Sequence, residues 1–235
     1  MNGGKTDTLA MERGTVTYGS KGCFWGKTKA NVAFANFSIA IGHGECVGLV
    51  GPSGCGKSTV GRCLARLQKL SCGDVLLSGE SVWKISPLKC HGAVQMIFQS
   101  PYDSLDPRQT VHSAIDEPLK IHFKFMNAAS RRKTIGKLMG AVRLDESLLW
   151  RKPSQLSGGQ RQRVAVARSL AVEPKFLICD EVVSALDYDA RDGIIELLAS
   201  LCEKNELAIL LIGHDMEMVD RLCSRTVSMG NGQKG

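Results

Sequence analysis

Residues 51–58, GPSGCGKS, constrain this chain more than any other segment. They fit the spacing G-x-x-x-x-G-K-[ST]. An apolar run, Cys46–Val50, precedes them, and from residue 60 to 70 Cys63, Leu64, Leu67 and Leu70 recur at helical spacing. The segment therefore predicts a buried strand, a glycine loop and a helix in immediate succession. In such a loop the glycines let successive backbone N–H groups turn inward, and the helix start adds the positive end of its dipole. An anionic phosphate is the ligand this arrangement accepts. Gly51, Pro52, Ser53, Gly54, Cys55 and Gly56 span the cradle, with Pro52 and Cys55 at its variable positions. Lys57 brings a point charge to the β- and γ-phosphates, and Ser58, followed by Thr59, offers a hydroxyl to Mg²⁺.

The surrounding pattern predicts what carries the loop. Apolar runs at 94–98, 176–179, 207–212 and 226–229 read as further strands covered on both faces. Residues 187–202 place Ile194, Ile195, Leu197, Leu198 and Leu201 on one helical face. Strands alternating with helices predict an α/β fold with a mainly parallel sheet. Two regions break that rhythm. The residues before Gly44 and those at 73–82 read as short antiparallel pieces, while residues 100–155 hold no strand and read as an inserted helical lobe. A length of 235 residues fits one large domain, or a core with one such lobe.

Composition excludes several functions. The formal charge is +7, yet Lys and Arg are spread along the chain and Arg131-Arg132-Lys133 is the one tight cluster, so no nucleic-acid partner is expected. Nine cysteines, an odd number with no C-x-x-C spacing, argue against a zinc knuckle or a dithiol redox motif and point to a reducing compartment. Residues 1–10 are polar, with no secretory signal, and the run at 207–212 falls far short of the ~20 apolar residues that span a bilayer. Any link to a membrane is expected to pass through a partner.

Two further motifs narrow the chemistry. The strand at 176–179 leads into Asp180 and Glu181. Beside a phosphate loop, Asp180 is expected to hold the metal's shell and Glu181 to orient and deprotonate an attacking water. Leu156-Ser157-Gly158-Gly159-Gln160 starts a helix, with Ser157 and Gln160 fitting the S-x-x-Q capping box. Two glycines in a first turn weaken a helix by ~1 kcal/mol each relative to Ala. Bare backbone is therefore expected to matter there, with a phosphate as its natural neighbour.

With LSGGQ lying between the phosphate loop and the acidic strand end, the chain resembles the ATP-binding cassette (ABC) ATPases, whose signature motif it matches. Gln99 then matches the Q-loop glutamine, Ser184-Ala185-Leu186-Asp187 the D-loop, and His214 the switch histidine. Val182-Val183 stand where the family usually has Pro-Thr, and Cys179 where Leu is common; neither change removes a chemical group.

The resemblance implies a P-loop NTPase, RecA-like core with an antiparallel β subdomain and an inserted α-helical subdomain. It assigns residues 9–235 to one ATP-binding domain, with 1–98 and 159–235 as core and β subdomain and 99–158 as the helical subdomain carrying the signature. It implies an ATPase with ATP and Mg²⁺ as cofactors and two cassettes meeting head to tail. Glu181, His214 and Gln99 would then act on one ATP, with Ser58, Gln99 and Asp180 at the metal. Ser157, Gly158, Gly159, Gln160 and Asp187 belong to the composite nucleotide site, the signature acting across the interface. Tyr18 fits the aromatic that stacks on adenine, with Phe24 and Trp25 as competitors.

A second resemblance lies in FQSPYDSLDPR, residues 98–108, with Glu117-Pro118-Leu119 following. It is similar to the oligopeptide, dipeptide and nickel importer ATPases. That branch implies two permease subunits, a second ATPase subunit, an extracytoplasmic solute-binding protein, and a peripheral place on the cytoplasmic face of the cell membrane. Peptide is the first expected cargo, with nickel or a metal chelate behind it. Tyr102 and Leu105 are expected on the groove that receives a permease's cytoplasmic helix. The alternatives are a soluble ABC ATPase of translation or DNA repair, which usually joins two cassettes or carries a long insert, and a non-hydrolysing module, which would lack Glu181 or Lys57.

Overall fold

The computed structural model describes residues 8–19, 31–100, 104–184, 186–205 and 207–230. In chain order the elements are β1 (Thr8–Tyr18), β2 (Asn31–Gly42), β3 (Cys46–Val50), α1 (Lys57–Leu64), β4 (Cys72–Leu77), β5 (Glu80–Ser81), α2 (Pro87–Ala93) and β6 (Val94–Ile97). Then come α3 (Val111–His122), α4 (Ala128–Ala141), two 3₁₀ turns (Glu146–Trp150 and Pro153–Gln155), α5 (Gly158–Leu170), β7 (Phe176–Asp180), α6 (Tyr188–Asn205), β8 (Ala208–Ile212), α7 (Met216–Leu222) and β9 (Arg225–Ser228).

The apolar runs form one parallel sheet in the order β6-β7-β8-β3-β9. β7 and β8 are buried at every position because the sheet is covered on both faces. Alternate side chains divide between two cores, as a period of two requires. Cys46, Leu177, Cys179, Ile209 and Leu211 pack with Ile115, Leu119, Ile135 and Met139 of the helical segment. Val47, Leu49, Ile178, Leu210 and Ile212 pack on the other side with Phe34, Ile41 and Val75 of the second sheet. The inserted helices thus share a core with the sheet. Leu105 is 4 % exposed within that core. It cannot anchor a partner's helix as expected, and Tyr102 lies outside the described residues.

The second sheet is antiparallel, in the order β2-β1-β4-β5. The expected short pieces before Gly44 are instead strands of 11 and 12 residues. Bulges explain the misreading. Arg13 and Asn36 take positive φ of 47° and 49°, the register shifts beside them, and the alternation of apolar residues breaks at those points. Hydroxyls satisfy the displaced N–H groups: Arg13 donates to Ser38 Oγ at 2.9 Å and Asn36 to Thr15 Oγ1 at 3.1 Å.

α1 also differs from expectation, running over Lys57–Leu64 and not to residue 70. It ends in a Schellman arrangement: Arg66 N–H bonds Cys63 O at 3.0 Å and Leu67 N–H bonds Arg62 O at 2.8 Å. That motif usually has Gly at the left-handed position. Here Arg66 occupies it at φ 59°, held by a hydrogen bond to Ile85 O at 2.9 Å and by the Trp83 ring 5.4 Å away. No glycine announced the stop. No helix among the described residues is long and apolar enough to cross a membrane.

Candidate functional site

β3 delivers the glycine loop at the end of the sheet, and α1 begins at Lys57. Gly56, the N-cap of α1, has φ 105°, and a Cβ there would stand 2.7 Å from the Ala33 carbonyl oxygen. Both facts exclude other residues from the position. Lys57 is only 6 % exposed, and its ammonium donates to Gly51 O at 2.8 Å and Pro52 O at 3.0 Å. Cys55 points into the core and Pro52 contributes only its carbonyl, consistent with their variable positions.

Two side-chain pairs join the loop to the acidic strand end. Ser58 Oγ donates to Asp180 Oδ1 at 2.9 Å. Gln99, just past β6, donates from Nε2 to Glu181 Oε2 at 2.7 Å. Asp180 is 3 % exposed, and burial pushes its carboxyl up from the ordinary value. The Ser58 hydrogen bond opposes that shift, the Glu181 charge adds to it, and Arg62 and Lys57 offset part of it. Glu181 has left the strand: its φ is 48°, while its N–H still bonds Ile212 O at 2.8 Å. That turn separates the two adjacent carboxylates, one toward Ser58 and one toward Gln99. His214, after β8, brings Nδ1 to 3.8 Å from Glu181 Oε1.

A cavity of about 480 Å³ opens beside the loop and the Gln99–Glu181 pair; Asp180 and His214 are not among the residues that line it. Tyr18, Ser53, Gly54, Gly56, Lys57, Ser58, Thr59, Gln99 and Glu181 line it, together with Asn31, Val32 and Ala33. Its size is that of an ordinary small-molecule site. Tyr18 ends β1 at the mouth, 45 % exposed, its hydroxyl paired with Gln68 and 3.4 Å from Thr59 Oγ1. Phe24 and Trp25 lie outside the described residues. The start of β2 is a contributor that no motif announces: Asn31, Val32 and Ala33 line the cavity, and the Ala33 carbonyl lies against Gly56 of the loop.

Other expected residues do not line this cavity. Ser157 N-caps α5, accepting from Gln160 N–H at 3.2 Å while Gln160 Oε1 accepts from Ser157 N–H at 3.0 Å, so the capping box is formed. Gly159 has a packing reason within the chain, since a Cβ there would stand 2.8 Å from the Ala190 Cβ of α6. Gly158 has no such neighbour closer than Leu186 at 3.7 Å. The argument for bare backbone facing a ligand therefore rests on Gly158. Asp187 accepts from Ala190 N–H at 2.9 Å and caps α6, while Ala185 beside it lies outside the described residues.

Known proteins resemble this chain closely. The ABC transporter family profile matches residues 34–184. The nickel import ATP-binding protein NikE of Shigella boydii serotype 4 is 40 % identical over 229 residues, covering 96 % of this chain and 85 % of its own length. NikE of Escherichia coli (strain 536 / UPEC) is 41 % identical over 215 residues, 90 % of this chain and 80 % of its own. Among solved structures, the dimeric bacterial ABC transporter cassette MJ0796 superposes with a TM-score of 0.83 at 29 % identity, over 95 % of both chains. Its post-hydrolysis state with ADP and Pi gives 0.82 at 28 %, over 94 % of both. With the profile matched over residues 34–184 and relatives 40–41 % identical across most of its length, the chain belongs to the ABC transporter family as an ATP-binding, ATP-hydrolysing subunit.

Proposed function

We propose that this ATPase serves an importer of nickel, working as one of two cassettes joined head to tail beneath a pair of membrane permeases, on the cytoplasmic face. The cargo reading rests on one observation: 40 % identity to a nickel import ATP-binding protein across 96 % of the chain. It reverses the order expected from the sequence, which put peptide first. A periplasmic or surface solute-binding protein would deliver the cargo to the permeases.

The site supports a division of labour. Tyr18 stacks on the base, the loop N–H groups and Lys57 hold the phosphates, Glu181 takes the proton of the attacking water, and Gln99 and His214 orient the water and the γ-phosphate. Ser58, Asp180 and Gln99 suit Mg²⁺, because they are hard oxygen donors. Among the described residues no cluster of three or more His, Cys, Asp or Glu side chains suited to a metal occurs. Mg²⁺ is commonly held by one or two protein groups together with substrate phosphates and waters. When bound, the ion neutralises phosphate charge; the chain's part is to place Ser58 and Asp180 beside one another. Residues 157–160 do not line the cavity on their own chain; with the Ser157 and Gln160 N–H groups taken by the capping box, the backbone at Gly158 and Gly159 serves a second cassette's nucleotide.

Uptake of radioactive nickel by cells lacking this chain, with and without the gene restored, tests the cargo. Loss and recovery of nickel uptake support it. Unchanged nickel uptake with lost dipeptide uptake would move the cargo to peptide while leaving the ATPase intact.

A further inference from the structure

One arginine holds two carboxylates at the start of the helix that follows His214. Asp215 is the N-cap of α7, its Oδ1 accepting from Met218 N–H at 3.2 Å, and Glu217 lies in the first turn. Arg191, in the first turn of α6, reaches them from the neighbouring helix. Its Nη2 donates to Asp215 Oδ1 at 2.9 Å and to Glu217 Oε2 at 2.7 Å, which uses both hydrogens of that nitrogen. The backbone N–H of Arg191 bonds the carbonyl of Asp187, the cap of α6, at 2.9 Å. The beginnings of α6 and α7 are thereby stapled together.

His214 depends on such a fixture. Its side chain is 69 % exposed, and its distance of 3.8 Å to Glu181 is too long for a hydrogen bond. Among the described residues nothing else holds its ring by a hydrogen bond. Its direction is set by the backbone on either side: Gly213 N–H bonds Leu49 O at 3.3 Å, and Asp215 is fixed by the helix cap and by Arg191.

We propose that Arg191 is a positioning residue for His214: by holding Asp215 and Glu217 from α6 it fixes residues 213–215, and with them the direction in which the imidazole meets the nucleotide. This rests on the reading of His214 as a group that acts on the γ-phosphate. The planar guanidinium suits the task, since its donors form a rigid fork, whereas a lysine ammonium is a mobile point charge. The same pair of helices carries a second ion pair, Arg221 Nη1 to Asp192 Oδ1 at 2.6 Å, which makes no hydrogen bond to Asp215 or Glu217, although the Glu217 charge also acts on Arg221. It joins the helices without reaching the cap and supplies the control.

The test compares Arg191→Ala, Arg191→Lys and Asp192→Asn in the full chain. Ring ¹⁵N–¹H NMR signals of histidine report orientation, with that of His214 identified by its loss in His214→Ala. Steady-state ATP hydrolysis reports the consequence. Arg191→Ala should shift and broaden the His214 signal and lower kcat about tenfold, below the ~10²-fold that a 1 Å misplacement can cost, with KM for ATP little changed. Arg191→Lys should recover part of both, and Asp192→Asn should alter neither. In a His214→Ala background, Arg191→Ala should cost nothing further, as expected for two residues acting as one unit. An unmoved His214 signal in Arg191→Ala, or fully additive losses with His214→Ala, would overturn the proposal. Full turnover in His214→Ala would instead remove the catalytic reading of the histidine; the ring signal would still decide whether Arg191 positions it.

Discussion

Replacing Glu181 by Gln changes one oxygen for one NH₂ in a side chain whose surroundings are defined. The amide is the same size, keeps an oxygen to accept the Gln99 hydrogen bond now 2.7 Å long, and leaves the Ser58–Asp180 pair untouched. What it removes is the lone carboxylate placed to accept a proton. A positioned base contributes ~10²–10⁴ in rate, which is about 2.7–5.5 kcal/mol of barrier. The weakened Gln99 contact is a smaller effect, since losing the charge from a charge-assisted hydrogen bond costs on the order of 1 kcal/mol. The two effects separate experimentally because only the first touches the chemical step. Single-turnover phosphate release should therefore fall by two to four orders of magnitude. Nucleotide titration should give ATP affinity within a few-fold of the parent, and ATP should accumulate in a closed dimer on a sizing column. Phosphate release within threefold of the parent would remove Glu181 from the base role, and a tenfold loss of affinity would show that its charge serves binding.

Three further outcomes follow from the same geometry. Lys57→Ala deletes the ammonium that lies over the loop, so titration should show weaker ATP binding as well as slower turnover, unlike the Glu181 variant. Leu105→Ala empties a buried site and should cost ~2–5 kcal/mol of stability, seen by thermal unfolding as a midpoint lower by roughly 4–20 °C; an unchanged midpoint with lost permease binding would restore the docking role. Asp180→Asn should inactivate the enzyme yet raise its thermal midpoint at neutral pH. The folded state raises the pKa of this buried carboxyl, so its charge opposes folding above that pKa and ceases to do so as the acid protonates. The gap between variant and parent should therefore narrow as pH falls from 7 toward 4, and a gap that widened on acidification would refute the sign.

The parts of the fold that were legible in the sequence are those fixed by local pattern. The phosphate loop, the buried strands and the capping box of α5 each depend on residues within a few positions of one another, and the structure places them where the pattern did. The misreadings came from non-glycine residues in left-handed backbone. Arg13 and Asn36 interrupt two long strands, and Arg66 stops α1. Each is held by long-range partners, Ser38, Thr15 and Ile85, that no local rule supplies. The same limit applied at the site. Glu181 was identified from its place after an apolar run, but its turn away from Asp180 is a tertiary fact, closed by the β8 carbonyl of Ile212. At Leu105 the docking expectation came from the resemblance to the importer ATPases, and the burial of its side chain against the helical lobe is a tertiary fact that the resemblance does not carry.

The groups assigned to the nucleotide are already engaged with one another. Lys57 lies on two loop carbonyls, Ser58 on Asp180, and Gln99 on Glu181. Binding therefore exchanges hydrogen bonds of the protein for hydrogen bonds to phosphate, and the net gain per exchange is small, about 1 kcal/mol. Each exchange also carries information. Freeing Ser58 leaves a buried Asp180 carboxylate whose charge needs a new partner, and freeing Gln99 releases Glu181 to accept from water. A ligand that satisfies only the loop leaves the Gln99–Glu181 pair closed; one that reaches Gln99 opens it. On the proposed placement of the nucleotide, a triphosphate that reaches Gln99 should open the Gln99–Glu181 hydrogen bond, and a diphosphate held by the loop alone should leave it closed.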